Sequence, residues 1–553
     1  MPQTGQLQHF VSHDNHQMIY RYFPARAPRG ACGTPAIILF YRESDFSDKP
    51  SALMTTLGLE DYAFFALDFA GSDIMVESAE GASAISHEGY YFQQFIDHIT
   101  AQYAIQVQDI AVISHGERAV VIAAWMTDYA PDIRSAIFYS PQFVLRKREA
   151  FSLKLKGMLK GRFRAYPAVR DLLYSSQRIF RSAFAWSAPT QFVVTKADRE
   201  AGLGVLLNFY ANLGSRTKEL LLMPDAGYGC PEQDWGSMRD GQIKQFLVTH
   251  FAQMNIAPSL FNSHLRGATQ DEYEKLRLPE KNVFKRMYWA LNAFALRHVG
   301  KLSSGIRLGL ETGFDSGASL EYIYENQPTG KNALGRVLDR YYLKNIGWHC
   351  TRMREKHVEE LLSLAATRLA EQHQAVRLLD VAAGHGRYVL NAIEKIAQPI
   401  AHILMRDFEL ANVQQGNHLL AQKGLTDIAL FEQGDAFSTD DLVTLPTDRT
   451  LAVVSGFYEL FSDNNLVLTS LNGIADAMEE GGYLVYTTKL WNPKLALMAR
   501  VLPSHKKGEF WLLRRRTQRE IDQLVTHAGF AKITQRVDPW GMFSVTLAKK
   551  VRQ

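Results

Sequence analysis

A glycine turn follows a short apolar run in the second half of the chain. The run Val376–Val381 predicts a buried strand, and Asp380 lies at its end, before Gly384, Gly386 and a helical pattern. Glycines let a ligand approach the backbone closely, and a carboxylate there can accept hydrogen bonds from a cationic or hydroxyl-bearing group. A dinucleotide or phosphate loop is disfavoured, because Val389 occupies the position of a third glycine and no Lys-Ser/Thr pair follows.

Three further predicted strands end at intervals that fit such a site. The first, residues 400–405, leads to Asp407, roughly 20 residues after the glycines, where a carboxylate would meet ribose hydroxyls. The second leads to the segment 434–437, and the third to Ser455 and Gly456. The motif Asp-x-Ala-x-Gly-x-Gly with these spacings resembles the class I S-adenosylmethionine-dependent methyltransferases.

This resemblance implies S-adenosylmethionine as the cofactor. In that family the glycines pass under the methionine portion, the second carboxylate holds the ribose, and the third segment frames the adenine. The implied cofactor-binding residues are Asp380, Ala382, Gly384, Gly386, Asp407, Asp435, Ala436, Phe437, Ser455 and Gly456. Most of the acceleration of methyl transfer comes from positioning the reactants rather than from acid–base work.

Candidate residues for the methyl acceptor follow the later predicted strands. Glu459 is the candidate base or orienting group for a hydroxyl or amine acceptor, and Tyr458 is its neighbour. Trp491 follows the predicted strand 483–487, at the edge where open α/β sheets bind ligands. Tyr342 belongs to a region rich in aromatic, Gly and Asn residues, which we interpret as a substrate-covering cap.

Three consecutive arginines provide a second substrate hypothesis. Arg514, Arg515 and Arg516 could hold an acidic group such as phosphate or carboxylate. The alternative is a charged helix entrance in which these arginines pair with Glu520 and Asp522. The sequence leaves both interpretations open.

The length and composition fit two globular domains. At 553 residues the chain exceeds one ordinary core, and its 46% apolar residues can fill two cores of roughly 250 residues each. The net charge of +4 does not indicate a nucleic-acid partner. Three scattered cysteines without His partners at metal spacing predict reduced thiols and no metal site. Because we find neither a signal-peptide pattern nor an apolar run of roughly 18 residues, we expect a cytoplasmic protein.

The first half alternates apolar runs with helical patterns, which predicts a parallel sheet with crossover helices. The apolar runs cover residues 36–41, 64–68 and 110–113. Their order, with an Asp-x-x-Gly turn at 68–71 and a later strand at 188–194, resembles α/β-hydrolases of the lysophospholipase or monoacylglycerol-lipase type. The resemblance implies that Asp198 is the acid of a catalytic triad.

The other two members of that triad are missing from the expected positions. In this fold the nucleophile lies in a strained turn between strand and helix, and Gly116 occupies that place here. Tyr228 stands where the histidine is expected, and tyrosine, with a pKa near 10, cannot accept a serine proton at neutral pH. A shifted motif would make Ser114 the nucleophile, but it would place the turn inside the apolar strand. We therefore predict a non-catalytic hydrolase fold.

The most basic segment of the chain, residues 146–181, interleaves arginines and lysines with apolar residues. Such a segment can lie on an anionic membrane surface. The alternative is a solvated cap whose apolar side covers the sheet. We therefore expect a cytoplasmic protein that is either fully soluble or in peripheral contact with a membrane.

Together these patterns predict an α/β protein with two domains. The expected ranges are 1–255 for the hydrolase-like domain, 256–283 for a linker, 284–375 for a helical cap with helical patterns at 284–299 and 357–374, and 376–553 for the Rossmann-like methyltransferase core. The whole chain resembles bacterial fusions of these two domain types, which are often associated with phospholipid-synthesis enzymes. The resemblance implies a methyltransferase with a small-molecule or lipid-linked acceptor. The alternatives are a bifunctional hydrolase and methyltransferase, and a non-enzymatic scaffold that binds S-adenosylmethionine.

Overall fold

The computed structural model describes residues 5–26, 34–41, 50–67, 83–141, 143, 169–194, 196–223, 232–253, 255–506 and 508–551. The chain forms two compact units, Met1–Pro258 and Ser259–Gln553. Among the residues in these ranges, no helix is long and apolar enough to cross a bilayer.

The first unit is built on an eight-stranded sheet in the order β1-β2-β4-β3-β5-β6-β7-β8. Its strands are β1 (Gln6–Val11), β2 (Gln17–Phe23), β3 (Ala36–Phe40), β4 (Ala63–Leu67), β5 (Ile110–His115), β6 (Ser135–Tyr139), β7 (Thr190–Val194) and β8 (Lys218–Leu222). The pairs β1/β2 and β2/β4 are antiparallel, and β4 to β8 are parallel. The prediction of a hydrolase-like, largely parallel sheet is confirmed.

Crossover helices follow the parallel strands of this sheet. They are α1 (Pro50–Leu57), α2 (Ala84–Tyr103), α3 (Gly116–Tyr129), α4 (Val169–Ser182), α5 (Lys196–Asn212) and α6 (Glu232–Phe251). The central strands β3 and β4 are buried at every position, as expected for strands covered on both faces. Strand β5 leads into α3 at Gly116, whose φ of 56° is left-handed, so the sharp turn lies where the nucleophile is expected.

The second unit contains a seven-stranded sheet in the order β11-β10-β9-β12-β13-β15-β14. Its strands are β9 (Val376–Val381), β10 (Ile400–Asp407), β11 (Ala429–Gln433), β12 (Arg449–Val454), β13 (Met478–Lys489), β14 (Phe530–Val537) and β15 (Phe543–Lys550). Strands β9 to β13 are parallel, whereas β15 is antiparallel to both β13 and β14. This confirms the Rossmann-like sheet. Because the strand order reverses between β9 and β12, a crevice forms at their carboxyl ends.

Helices of the second unit cover both faces of the sheet and form the cap. They are α7 (Ala268–Arg277), α8 (Val283–His298), α9 (Ser304–Thr312), α10 (Gly317–Glu325), α11 (Ala333–Leu343), α12 (Ile346–Glu371), α13 (Arg387–Ile393), α14 (Leu410–Lys423), α15 (Thr439–Leu442), α16 (Asn464–Ala477), α17 (Leu495–Val501) and α18 (Gln518–His527). Leu362 and Ala366 of α12 pack with Leu378 in the core, so this helix joins the cap to the sheet.

The segment predicted as a linker, residues 256–283, needs a correction. The second unit begins at Ser259, and helix α7 lies within the segment. Thr269 of α7 is 1% exposed and its hydroxyl accepts a hydrogen bond from Arg514 Nη2 at 3.2 Å. This polar sequence is therefore part of the second unit, because it covers buried arginines.

Candidate active site

The glycine turn after β9 leaves an open backbone surface at the crevice. Ala382, Gly384 and Gly386 adopt left-handed φ angles of 59°, 59° and 68°, so the chain reverses sharply before α13. A Cβ placed on Gly384 would meet no described neighbouring atom within 4 Å, so a ligand can approach the backbone there. The turn predicted from sequence is present, and it faces the point where the strand order reverses.

Asp380 carries an unsatisfied carboxylate oxygen beside this turn. Its side chain is fully buried, and Oδ1 accepts a hydrogen bond from the Tyr388 hydroxyl at 2.6 Å. Oδ2 accepts no hydrogen bond from any described residue. Burial, with the nearby Asp407 carboxylate, raises the pKa of Asp380 well above its usual value. An orphaned buried carboxylate oxygen is costly, and a cationic or hydrogen-bond-donating ligand group would relieve that cost.

Asp407, the predicted ribose ligand, holds the glycine turn in place. Its Oδ2 accepts a hydrogen bond from the Gly384 amide at 2.8 Å. Its Oδ1 accepts from the Glu409 amide at 3.0 Å and from Asn412 Nδ2 at 2.9 Å. A carboxylate has about four lone-pair sites, so Asp407 retains some capacity for a ligand hydroxyl.

The predicted adenine segment forms an aromatic wall at the same edge of the sheet. The Asp435 carboxylate accepts a hydrogen bond from the Phe437 amide at 2.8 Å, which fixes the turn after β11. The ring of Phe437 stacks on Phe457 with centroids 5.1 Å apart, and Phe461 meets it edge-on at 4.6 Å. Ala436 is buried among the core residues beneath.

Gly456, just after Ser455 at the end of β12, marks a close approach between the core and the cap. It adopts a left-handed φ of 71°, and its amide donates to Thr487 Oγ1 at 2.7 Å. A Cβ on Gly456 would lie 2.6 Å from Nη1 of Arg354, which comes from α12. Only glycine leaves room for this guanidinium at the crevice.

A cavity of about 190 Å³ opens between the cap and the carboxyl ends of the strands, and it includes Gly456 in its wall. Its walls are mostly apolar: Leu296, Phe314, Leu320, Tyr342, Trp348, Leu460, Leu497, Met498, Leu502, Trp511, Leu513 and Phe543. Three buried charged side chains, from Arg354, Glu459 and Lys489, also line it, together with the partly exposed Asp315 and Lys494. The cavity can therefore receive a largely apolar molecule with a polar group.

The three charged groups, here called the charged cluster, are all at least nine-tenths buried. Arg354 Nη1 lies 3.6 Å from Glu459 Oε1, and Glu459 Oε2 has no hydrogen-bond partner among the described residues. The ammonium of Lys489 lies 3.6 Å from the ring centroid of Phe543. Burial lowers the pKa of Lys489 to about 8, although the charge of Glu459 opposes this shift. Lys489 can therefore exchange a proton near neutral pH.

Sequence reasoning missed Arg354 and Lys489. Arg354 lies on a long amphipathic helix, where a charged residue normally faces solvent, and only the packing of α12 buries it. Lys489 gave a usable signal, since it is a lone charge at the carboxyl end of an apolar strand, the edge where such sheets bind ligands.

Some of the predicted acceptor residues line the cavity, and others do not. Glu459 and Tyr342 line the cavity, as expected for an acceptor site. Tyr458 does not line it, since its hydroxyl is buried and pairs with Ser470 Oγ at 3.1 Å. Trp491 is 1% exposed and lies outside the wall. The prediction that Tyr458 and Trp491 contact the substrate is therefore corrected. Their side chains point into the protein and pack in its core.

The hypothesis that the arginines bind an acidic substrate group also needs correction. Arg514 pairs with Glu520 at 2.8 Å, and Arg515 pairs with Glu272. Arg516 Nη1 donates to the Tyr458 carbonyl at 2.6 Å. These buried cations are already neutralised or saturated within the protein. Their role is to hold the turn that carries Glu459.

The structure describes fewer of the predicted site residues in the hydrolase-like unit than in the second unit. Gly116 occupies the turn after β5, and the Ser114 side chain is fully buried within that strand, as expected. Asp198 falls in helix α5, but its side chain lies outside the description, as do Tyr228 and most of the basic segment 146–181. Across the described ranges, no group of three or more His, Cys, Asp or Glu side chains could hold a metal ion.

Comparison with known proteins supports the reading of the second unit. A family model described as "Putative methyltransferase" matches residues 243–550. The chain belongs to this family. A curated relative, "Uncharacterized protein YnbC" of Escherichia coli (strain K12), is 35% identical over 98% of this chain and 97% of its own length.

Solved structures are distantly similar to parts of the chain. A soluble variant of monoglyceride lipase from Saccharomyces cerevisiae is 14% identical, with a TM-score of 0.32 over 45% of this chain and 97% of that chain. A SAM-dependent methyltransferase from Methanosarcina mazei is 17% identical, with a TM-score of 0.27 over 32% of this chain and 94% of that chain. The fold assignment rests on the strand orders of the two sheets.

The buried Lys489 predicts a pH-dependent gain in stability on its removal. Its pKa in the folded protein, about 8, lies below the ordinary 10.5, so burying its charge costs stability below about pH 8, and this cost disappears as the pH rises from about 8 to 10.5. We expect Lys489→Met to raise the free energy of unfolding by about 2–3 kcal/mol at pH 7, and by much less at pH 10. Denaturant unfolding at both pH values measures this difference.

The matched control is Lys423→Met, because Lys423 is exposed and pairs with Glu394 on the surface. That change should alter stability by less than about 1 kcal/mol at either pH. A loss of stability at pH 7 for Lys489→Met would contradict this description of the charged cluster.

Proposed function

We propose that the second unit is an S-adenosylmethionine-dependent methyltransferase whose acceptor is a molecule with a large apolar part, such as a lipid or a lipid-linked compound. The observation that carries the proposal is the cavity. It is apolar, it contains the charged cluster, and it adjoins Gly456 at the crevice where the cofactor-binding turn lies.

The crevice residues suit the cofactor. The orphaned Oδ2 of Asp380 is placed to accept a hydrogen bond from an ammonium group, and the open surface at Gly384 leaves room for the methionine portion. Asp407 would hold the ribose, and the aromatic wall at Phe437 would hold the adenine. When bound, S-adenosylmethionine supplies an electrophilic methyl group on a sulfonium sulfur.

The cavity residues would bind and prepare the acceptor. The apolar walls exclude water and hold the hydrophobic part, which fixes the nucleophilic atom close to the crevice. Glu459, held by Arg354 and with one free carboxylate oxygen, orients the polar group of the acceptor. A hydroxyl or amine must lose a proton as it is methylated, and neutral Lys489 can take that proton.

This proposal predicts a methyl-transfer activity with a specific pH dependence. With methyl-labelled S-adenosylmethionine and a lipid extract, the wild type should transfer label to an organic-soluble product, with a rate that rises through about pH 8 as Lys489 loses its proton. We expect Lys489→Met to lower kcat by about 10²-fold or more and to abolish that pH-dependent rise.

Lys423→Met serves as the control and should behave like the wild type at each pH. A Lys489→Met variant that keeps the wild-type pH profile would remove Lys489 from the proton transfer. The absence of labelled product from lipid and from aqueous extracts would favour a non-enzymatic scaffold that binds the cofactor.

For the first unit, we infer a hydrolase fold without hydrolase activity. The support is Gly116 in the turn where a nucleophile would stand, together with Ser114 fully buried in the strand before it. A buried serine hydroxyl cannot reach a substrate carbonyl, and Tyr228 would not act as its base.

A serine-reactive fluorophosphonate tests this inference. We expect no labelling of the folded full-length chain, because no serine occupies the turn, and mass spectrometry of intact protein would detect any adduct. Labelling of the wild type that is lost in Ser114→Ala would instead establish a bifunctional hydrolase and methyltransferase.

A further inference from the structure

Helix α8 exposes its large apolar side chains to solvent. Phe284, Met287, Leu291 and Phe294 are 79%, 64%, 67% and 59% exposed. Their spacing of three and four residues places them on one side of the helix. An exposed apolar stripe of this length is uncommon on soluble proteins and marks an interaction surface.

The opposite side of α8 is packed against the protein. Trp289 and Leu296 are partly buried, and Leu296 lines the acceptor cavity. The packed side already anchors α8, so the exposed stripe is not needed to hold the helix on the protein. The helix forms the cavity wall with one side and presents apolar side chains with the other.

Cations flank the exposed stripe. Lys281, Lys285, Arg286 and Arg297 are all exposed. None of them forms an ion pair with a carboxylate in the part of the chain that the structure describes. Four uncompensated positive charges next to projecting apolar groups favour a partner surface that is both anionic and apolar.

A second cap helix repeats the pattern. In α11, Leu334, Val337 and Tyr341 are exposed at the same helical spacing. Arg336 and Arg340 lie between them and are exposed. The acidic residue of this helix, Asp339, is fully buried and accepts hydrogen bonds from Ser303 and from the Tyr322 hydroxyl. Both helices contact the turn Gly300–Leu302, so they are neighbours in the cap.

We propose that α8, with α11 beside it, is a docking surface for an anionic lipid bilayer. Helices with apolar side chains on one face and lysine and arginine around them lie in the membrane interface, where the cations meet lipid phosphates. The apolar side chains project from helix surfaces rather than line a groove, which suits a fluid bilayer better than a folded protein partner. The helices of this surface belong to the second unit and do not include the basic segment 146–181.

Docking through α8 would place the acceptor cavity next to the membrane, because Leu296 of the same helix forms part of its wall. An acceptor with acyl chains could then pass from the bilayer to the charged cluster without crossing water. This consequence rests on the proposed methyltransferase function, whereas the docking itself does not.

Vesicle flotation of the full-length protein tests the docking surface. The wild type should float with vesicles of phosphatidylcholine and phosphatidylglycerol, should float much less with phosphatidylcholine alone, and should dissociate as salt rises. The triple variant Phe284→Glu, Met287→Glu, Leu291→Glu should bind at least about tenfold more weakly. The double variant Lys285→Ala, Arg286→Ala should lose about tenfold or more of its affinity for the anionic vesicles.

Val443→Glu is the matched control, since Val443 is 75% exposed at the end of α15 and belongs to neither docking helix. It should bind vesicles like the wild type, and all variants should keep the wild-type melting temperature because the changed residues are exposed. Failure of the wild type to float, or unchanged flotation of the triple variant, would overturn the proposal. So would a wild-type dimer without vesicle binding that the triple variant converts to a monomer, since a second copy would then cover this surface.

Discussion

The reversal of strand order between β9 and β12 is the constraint on which the site depends. Chain connections leave these two parallel strands in opposite directions, so their carboxyl ends stay uncovered and form a crevice. The left-handed turn at Gly384 and Gly386 lies at this crevice, and a Cβ on Gly384 would meet no described atom within 4 Å. Asp380 is buried at the same point, where one carboxylate oxygen is left for a ligand.

The cap converts this crevice into a two-part site. Helix α12 packs on the sheet and brings Arg354 against Gly456, and the turn after β12 brings Glu459 to the same place. Arg516 fixes that turn by donating to the backbone carbonyls of Tyr458 and Phe461, on either side of Glu459. Burying three charges in an apolar cavity is costly, and such costs are typical of sites that bind or react.

Much of the fold could be predicted from sequence, because apolar runs and glycine turns report directly on parallel strands. Both sheets have the predicted class, and the turn at Gly384 is where the motif placed it. Boundaries were less accurate: α12 begins at Ile346, well before the predicted residue 357, because the Asn345 side chain caps it by accepting from the Gly347 amide at 3.1 Å. This capping contact is local, so the sequence already contained a signal for the earlier start.

The site residues divide in the same way. Those set by local sequence, such as Asp380 and Gly456, lie at the crevice, and their role in cofactor binding stays a prediction. Arg354 and Lys489 were missed because only tertiary packing buries them. Tyr458 and the consecutive arginines were misassigned, since sequence does not show whether a polar side chain faces a cavity or a buried partner. Glu520, in the first turn of α18, pairs with Arg514, as the alternative predicted. Asp522, the other partner named in that alternative, instead accepts a hydrogen bond from the Tyr486 hydroxyl.

The most direct test of the central claim is isothermal titration of the full-length protein with S-adenosylmethionine. The wild type should bind with micromolar affinity, and Asp380→Asn should weaken binding at least about tenfold, because an amide cannot take up the negative charge that a cationic ligand group would stabilise on Asp380. Asp522→Asn is the matched control, since Asp522 also accepts a tyrosine hydroxyl, that of Tyr486 at 2.7 Å, and it should bind like the wild type. A folded wild-type protein that does not bind S-adenosylmethionine would contradict the account.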